Sequence, residues 1–150
     1  MRSLNIPLML VLFNSMLIGR LHGQGLLILN AATNELMPLD SSRVSITIED
    51  QVAIVQSTQT FHNASNDTVY PKYAYPLPEA ASATRLRWLI DGAWHTASMV
   101  AQPPDTTLPG SGPGEGGQTA LQLQEYLGAT PLYFRMLQGI PPGAQIAIEL

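Results

Sequence analysis

Chemistry in this chain would have to come from a few groups. They are His62 and His95, a carboxylate pair drawn from Asp50, Glu79, Asp91, Glu125 and Glu149, the indoles of Trp88 and Trp94, and the glycines between residues 110 and 117. Each set has a simpler reading than catalysis. A zinc site needs three or four ligands within reach, and the two histidines stand far apart with no i, i+4 partner, so each reads as a surface or strand-end residue. Acid and base work on a glycosidic bond needs two facing carboxylates, but each candidate here has a simpler role. Asp91 makes a turn with Gly92, Asp50 and Glu149 sit at strand ends or on a solvent face, and Glu79 opens the connection after Pro78. No run of alternating oxygens offers a calcium loop, and no serine lies in a G-x-S-x-G turn. The glycines at 110–117 imitate a phosphate loop, but no lysine follows them and Pro109 and Pro113 mark a linker. Cysteine is absent, which removes disulfides, thiolate metal sites and thiol nucleophiles together. With only 12% charged residues, the domain reads as non-catalytic, with no cofactor or metal of its own.

The elements that would position these groups begin with a leader. Residues 1–23 carry Arg2 and an apolar run over 6–18, with small residues at Gly23 and Gly25 around the cleavage point, the three parts of a secretory signal. Asn14 and Ser15 interrupt the run, which is shorter than the about 20 apolar residues of a membrane span. The expectation is a cleaved signal, a mature chain without a transmembrane segment, and a secreted or cell-envelope location. The whole chain has seven basic and 11 acidic residues; losing Arg2 and Arg20 with the leader leaves a net charge of −6. An acidic protein with the single lysine Lys72 has no basic footprint for nucleic acid.

The rest, residues 24–150, reads as one all-β domain, an antiparallel sandwich with one short helix. Residues 26–29 are a short apolar run, and 30–34 a turn. Val44, Ile46 and Ile48 alternate with Ser45, Thr47 and Glu49, the period of a strand with one buried face. Residues 52–61 form a longer strand, polar enough on both faces to be partly exposed. The segment FHNASNDTVYPKYAYPLPE, residues 61–79, reads as a strand end, a polar turn over 63–68 and a second strand. Its prolines at 71, 76 and 78 confine that second strand to a sheet edge or a strand end. Tyr73, Tyr75 and Leu77 face one way, Lys72 and Ala74 the other. Residues 80–83 make a small-residue connection, expected to hold at most one helical turn.

Asp91-Gly92 between two alternating runs is a strong hairpin signal, because a two-residue type I′ turn needs positive φ at both positions. Trp88 and Trp94, on either side of it, are expected near one another on one face, where they pack or, alternatively, stack a sugar ring. Nine of the 16 residues over 103–118 are Pro or Gly, too little apolar material to repay ordering, so a flexible loop is expected. A helix over 119–127 follows, with Ala120, Leu123 and Leu127 on one face, then a strand over 132–137, the turn Ile140-Pro141-Pro142-Gly143, and a last strand over 144–150. That strand stops without a closing turn, so the chain is expected to be cut from a longer protein. Asn63-Ala64-Ser65 and Asn66-Asp67-Thr68 match the N-glycosylation pattern. They are sites in a eukaryotic host and ordinary turn asparagines otherwise.

These pieces together resemble the VIT domain, named for vault protein and inter-alpha-trypsin inhibitor heavy chains. The matching residues are Gln59, Phe61 and Asn63; Tyr73, Tyr75, Pro76, Leu77, Pro78, Glu79 and Ala81; Asp91 and Gly92; and Ile140, Pro141, Pro142 and Gly143, with Phe134 ahead of that turn. The resemblance spans about residues 26–150. It implies a sandwich-like module without known catalytic residues, typically followed by a von Willebrand factor A domain in secreted, surface or matrix-associated proteins. The motif residues are then structural. The chain departs from the family at 100–121, where many relatives carry a charged helix and this sequence has its Pro/Gly run, which puts any partner-binding role of that helix in doubt. Glu125-Tyr126-Leu127-Gly128 is similar to bacterial relatives, and with the missing cysteines points to a bacterial envelope protein. The functional expectation is an interaction module of an adhesion-type protein whose partners are other envelope or extracellular proteins, or glycans. A carbohydrate-binding or carbohydrate-processing role is the alternative. Direct protease inhibition is the poorer third, since the disulfide-braced loop of small inhibitors is missing.

Overall fold

A computed structural model describes residues 24–97, 108 and 118–150. Residues 1–23, expected to be a secretory signal, and most of the Pro/Gly run lie outside the described residues. The elements are β1 (Leu26–Asn30), β2 (Glu35–Leu36), β3 (Leu39–Glu49), β4 (Val52–His62), β5 (Lys72–Pro76), β6 (Arg87–Ile90), β7 (Ala93–Thr96), α1 (Gln118–Leu127), β8 (Pro131–Arg135) and β9 (Gln145–Glu149). They form a four-stranded sheet in the order β2-β1-β5-β8 and a five-stranded sheet in the order β3-β4-β9-β6-β7. Every pairing is antiparallel.

The sheets bury one core between them. The smaller sheet and its flanks contribute Leu27, Met37, Tyr73, Tyr75 and Met136, and the larger contributes Phe61, Trp88, Ile90, Ile146 and Ile148. A second cluster lies on the other face of the smaller sheet, where Ile28, Ala31 and Ala74 meet Leu123 and Leu127 of α1. The smaller sheet is therefore covered on both faces. That is why β1 reads as an unbroken apolar run rather than an alternating one. Lys72 is buried in this second layer, with its ammonium 5.0 Å from the Tyr133 ring centre.

α1 ends at Gly128, whose φ of 75° suits a left-handed cap, and the Gly128 N–H donates to Gln124 O at 3.1 Å. The Asp91-Gly92 hairpin forms as expected, with φ of 50° and 75°. The turn after β1 is set by Asn30, whose Oδ1 accepts from the Ala32 N–H at 3.0 Å.

The structure meets some expectations and corrects others. Of the edge and strand-end placements allowed by the prolines, β5 takes the second: it is an interior strand with Pro76 at its end, opposite Pro131, where a missing N–H costs nothing. The polar turn after β4 leads from one sheet to the other, because β4 and β5 lie in different sheets. After Pro78 the chain makes one turn, closed by the Ala81 N–H on Pro78 O at 2.9 Å, and no helix. Leu108, inside the run expected to be a flexible loop, is 1% exposed and belongs to the cluster under α1. A single leucine side chain repays its own ordering by burial, which a composition count over 16 residues averages away.

The largest correction concerns β3, which is exposed along its whole length. Val44, Ile46 and Ile48 have no buried face: they are 51%, 61% and 72% exposed.

Candidate functional site

Asn63, 1% exposed, is the centre from which the motif residues can be placed. Its side-chain amide donates to Ile140 O at 2.8 Å and to Asp67 O at 2.7 Å. Its Oδ1 accepts from the Ser65 N–H at 3.0 Å and the Ser65 hydroxyl at 2.7 Å. The main chain adds two more bonds, Asn63 N–H to Ala144 O and Gly143 N–H to Asn63 O, both 2.9 Å. Asn63 thus ties its own turn to the Ile140-Pro141-Pro142-Gly143 turn, where Gly143 has a φ of 70°. The sequence offered two readings of Asn63, a glycan acceptor in a eukaryotic host or a turn asparagine, and its bonds to Ser65 are those of a turn asparagine. The structure buries its amide with every polar atom engaged, and leaves Asn66 exposed.

Gln59 makes a second buried knot. Its Oε1 accepts from the Tyr73 hydroxyl at 2.8 Å and the Gly25 N–H at 3.1 Å, and its Nε2 donates to Gly25 O at 3.3 Å. Gly25 has no room for a side chain, since a methyl there would lie 2.3 Å from the Tyr73 hydroxyl oxygen. Burial pushes the Tyr73 phenol far above its ordinary pKa, with Tyr75 and Tyr126 adding to the effect. Tyr73 and Tyr75 lie with ring centres 6.4 Å apart. Leu77 packs against the core and its carbonyl accepts from the Thr130 hydroxyl at 2.9 Å, while Pro78 and Glu79 are exposed at the following turn. Phe61 is buried in the core, and Pro141 and Pro142 are exposed at their turn.

The groups considered for chemistry do not converge. Trp88 and Trp94 lie on opposite faces of the hairpin, because Trp88 pairs with His95 and Leu89 with Trp94. Trp88 is buried between His95, stacked at 5.6 Å, and Phe134 at 4.8 Å. Trp94 is half exposed and carries the Arg87 guanidinium 4.3 Å from its ring centre. The expected face-sharing pair was one residue out of register. His62, at the end of β4, is bonded to Asp40 at 2.5 Å.

Glu149 stands at the end of β9, one of the two placements expected for it, and is buried there. Its carboxylate accepts from Arg87 and Gln56 at 2.8 and 2.9 Å. The Arg87 hydrogen bond, helped by Gln56 and opposed by burial, holds its pKa below the ordinary 4.5. Among the described residues, no three His, Cys, Asp or Glu side chains lie together so as to hold a metal ion.

The vault protein inter-alpha-trypsin domain is the family whose model matches, over residues 39–150. The chain belongs to the VIT family. β1 and β2, although woven into the smaller sheet, precede the matched range. No curated protein and no solved structure matches the chain.

One surface of this VIT domain is built unlike the rest. β3 and β4 pair over their whole length, with Val44 opposite Ser57, Ile46 opposite Val55 and Ile48 opposite Ala53. Opposite residues share a face, and on β4 that face continues into Ser57, Gln59 and Phe61, which are buried. The apolar inner face of the large sheet therefore runs outward past the end of the sandwich, where nothing among the described residues covers it. Neither Arg43 nor Glu49, on the opposite face of β3, makes an ion pair among the described residues. The period of Val44, Ile46 and Ile48 announced this face, but the sequence carries no signal for what lies beneath it.

Proposed function

We propose that this VIT domain is a non-catalytic interaction module of an exported protein, and that the projecting β3-β4 hairpin is the surface by which it engages a protein partner. The observation that carries the reading is the stripe of Val44, Ile46, Ile48 and Val55, each at least half exposed and continuous with the core face. Contiguous exposed apolar surface on a folded domain marks an interaction site. The partner is an envelope or extracellular component, which includes another domain of the same protein, such as an adhesion-type domain. The glycan alternative loses its paired tryptophan platform, since only Trp94 of the two is exposed.

The test is site-specific photo-crosslinking in the producing cell, with a photoreactive residue at 46, at 55 and, as a control, at the exposed Leu137. Discrete adducts from 46 and 55 are expected, with none from 137. Equal, diffuse labelling from all three positions would overturn the reading.

A further inference from the structure

The free edge of β3 has a charge pattern that fits itself. β3 is the terminal strand of the five-stranded sheet, 11 residues long, with no strand on its outer side among the described residues. Long exposed edges are ready templates for a further strand, and soluble proteins usually blunt them with lysine or proline. β3 has neither, and its one irregularity lies at its base, between Leu39 and Ser41. Of its three charged residues, Asp40 is held by His62 and Gln145. The other two, Arg43 and Glu49, stand three residues to either side of Ile46.

We propose that β3 pairs antiparallel with β3 of a second copy of this chain, about a two-fold axis at Ile46, joining two five-stranded sheets into one. The inference rests on the hairpin being an interaction surface and names its partner. In this register Arg43 lies opposite Glu49 of the second copy, twice by symmetry, and Val44 lies opposite its Ile48. Ile46 faces its own equivalent. Opposite charges and β-branched pairs directly across an antiparallel ladder are stabilising, and like charges there are destabilising. Other registers lose the match. A slip of two residues puts Arg43 opposite Thr47 or Gln51, and a slip of one turns the two apolar faces to opposite sides of the sheet. A self-complementary patch of this kind is what a closed two-fold contact requires.

Charge reversal tests the pairing. Sedimentation equilibrium of the purified protein should give a dimer. Arg43→Glu or Glu49→Arg alone, each at an exposed position where folding is checked by circular dichroism, should raise the dimer dissociation constant about tenfold or more. The double variant Arg43→Glu/Glu49→Arg should restore it. A monomer at the highest soluble concentration would overturn the proposal, as would a dimer indifferent to either single reversal. The crosslink from residue 46 separates the two levels of the argument. An adduct of twice the chain mass supports self-pairing. An adduct of another mass overturns self-pairing and keeps the interaction surface, and the absence of any discrete adduct overturns both.

Discussion

The Tyr73 hydroxyl and Gln59 Oε1, 2.8 Å apart, join the two sheets through the middle of the core, one from β5 and one from β4. Removing the acceptor strands more than removing the donor. Gln59→Leu leaves both the Tyr73 hydroxyl and the Gly25 N–H without their partner, whereas Tyr73→Phe leaves Gln59 still bonded to Gly25. Each buried group left unpaired costs about 1–3 kcal/mol, so Gln59→Leu should be the more destabilising in urea unfolding. The phenol adds a pH signature. Its folded pKa lies above the unfolded value of 10, so its contribution is intact below pH 10 and is lost as pH rises beyond it. Tyr73→Phe should flatten that alkaline decline.

Asn63→Ala should lower stability by about 1–3 kcal/mol, because Ile140 O loses its buried side-chain donor. The same geometry decides glycosylation. Expressed through the secretory route of a host that glycosylates, the folded product should carry sugar at Asn66 and none at Asn63. Intact-mass measurement checks this: Asn66→Gln should remove all added mass.

The Glu149 carboxylate predicts the acid limb. Its pKa is depressed in the folded state, so its contribution is present above the unfolded value of 4.5 and is lost as pH falls through the lower folded value. Melting temperature should therefore drop below about pH 4.5 in the native protein. Glu149→Gln should lose stability near pH 7 and show a shallower acid decline.

Leu108→Ala should cost about 2–5 kcal/mol, the range for a buried leucine. Leu137→Ala, at a leucine 77% exposed, should stay within about 0.5 kcal/mol. Urea unfolding of both variants makes the comparison.

What could be read from the sequence divides along physical lines. The Asp91-Gly92 turn, the α1 stop at Gly128 and the alternation of Ile146 and Ile148 are local, and the structure agrees with each. The motif pieces, Asn63 and Ile140-Pro141-Pro142-Gly143 among them, were recognisable as a family without any indication that they bond to one another across 77 residues. Burial was the weak point wherever it depends on a distant partner. Ile46 and Ile148 have the same alternating context, yet one is exposed and the other lies under the opposite sheet. Asn63 and Asn66 sit in matching tripeptides, yet one is a core ligand of backbone carbonyls. The tryptophan pair failed on a count of one residue in the hairpin register, which turns every side chain to the other face.

The position of β9 has a consequence in time. It is the last in sequence of the described strands and the middle strand of its sheet, flanked by β4 and β6. Until residues 145–149 have emerged from the ribosome, that sheet exists only as two unconnected hairpins. Contacts such as Gln56 to Glu149, 93 residues apart, must form late, and long-range pairing of this kind slows folding. The large sheet is closed by its last-placed strand, so its assembly waits on the C-terminal part of the domain.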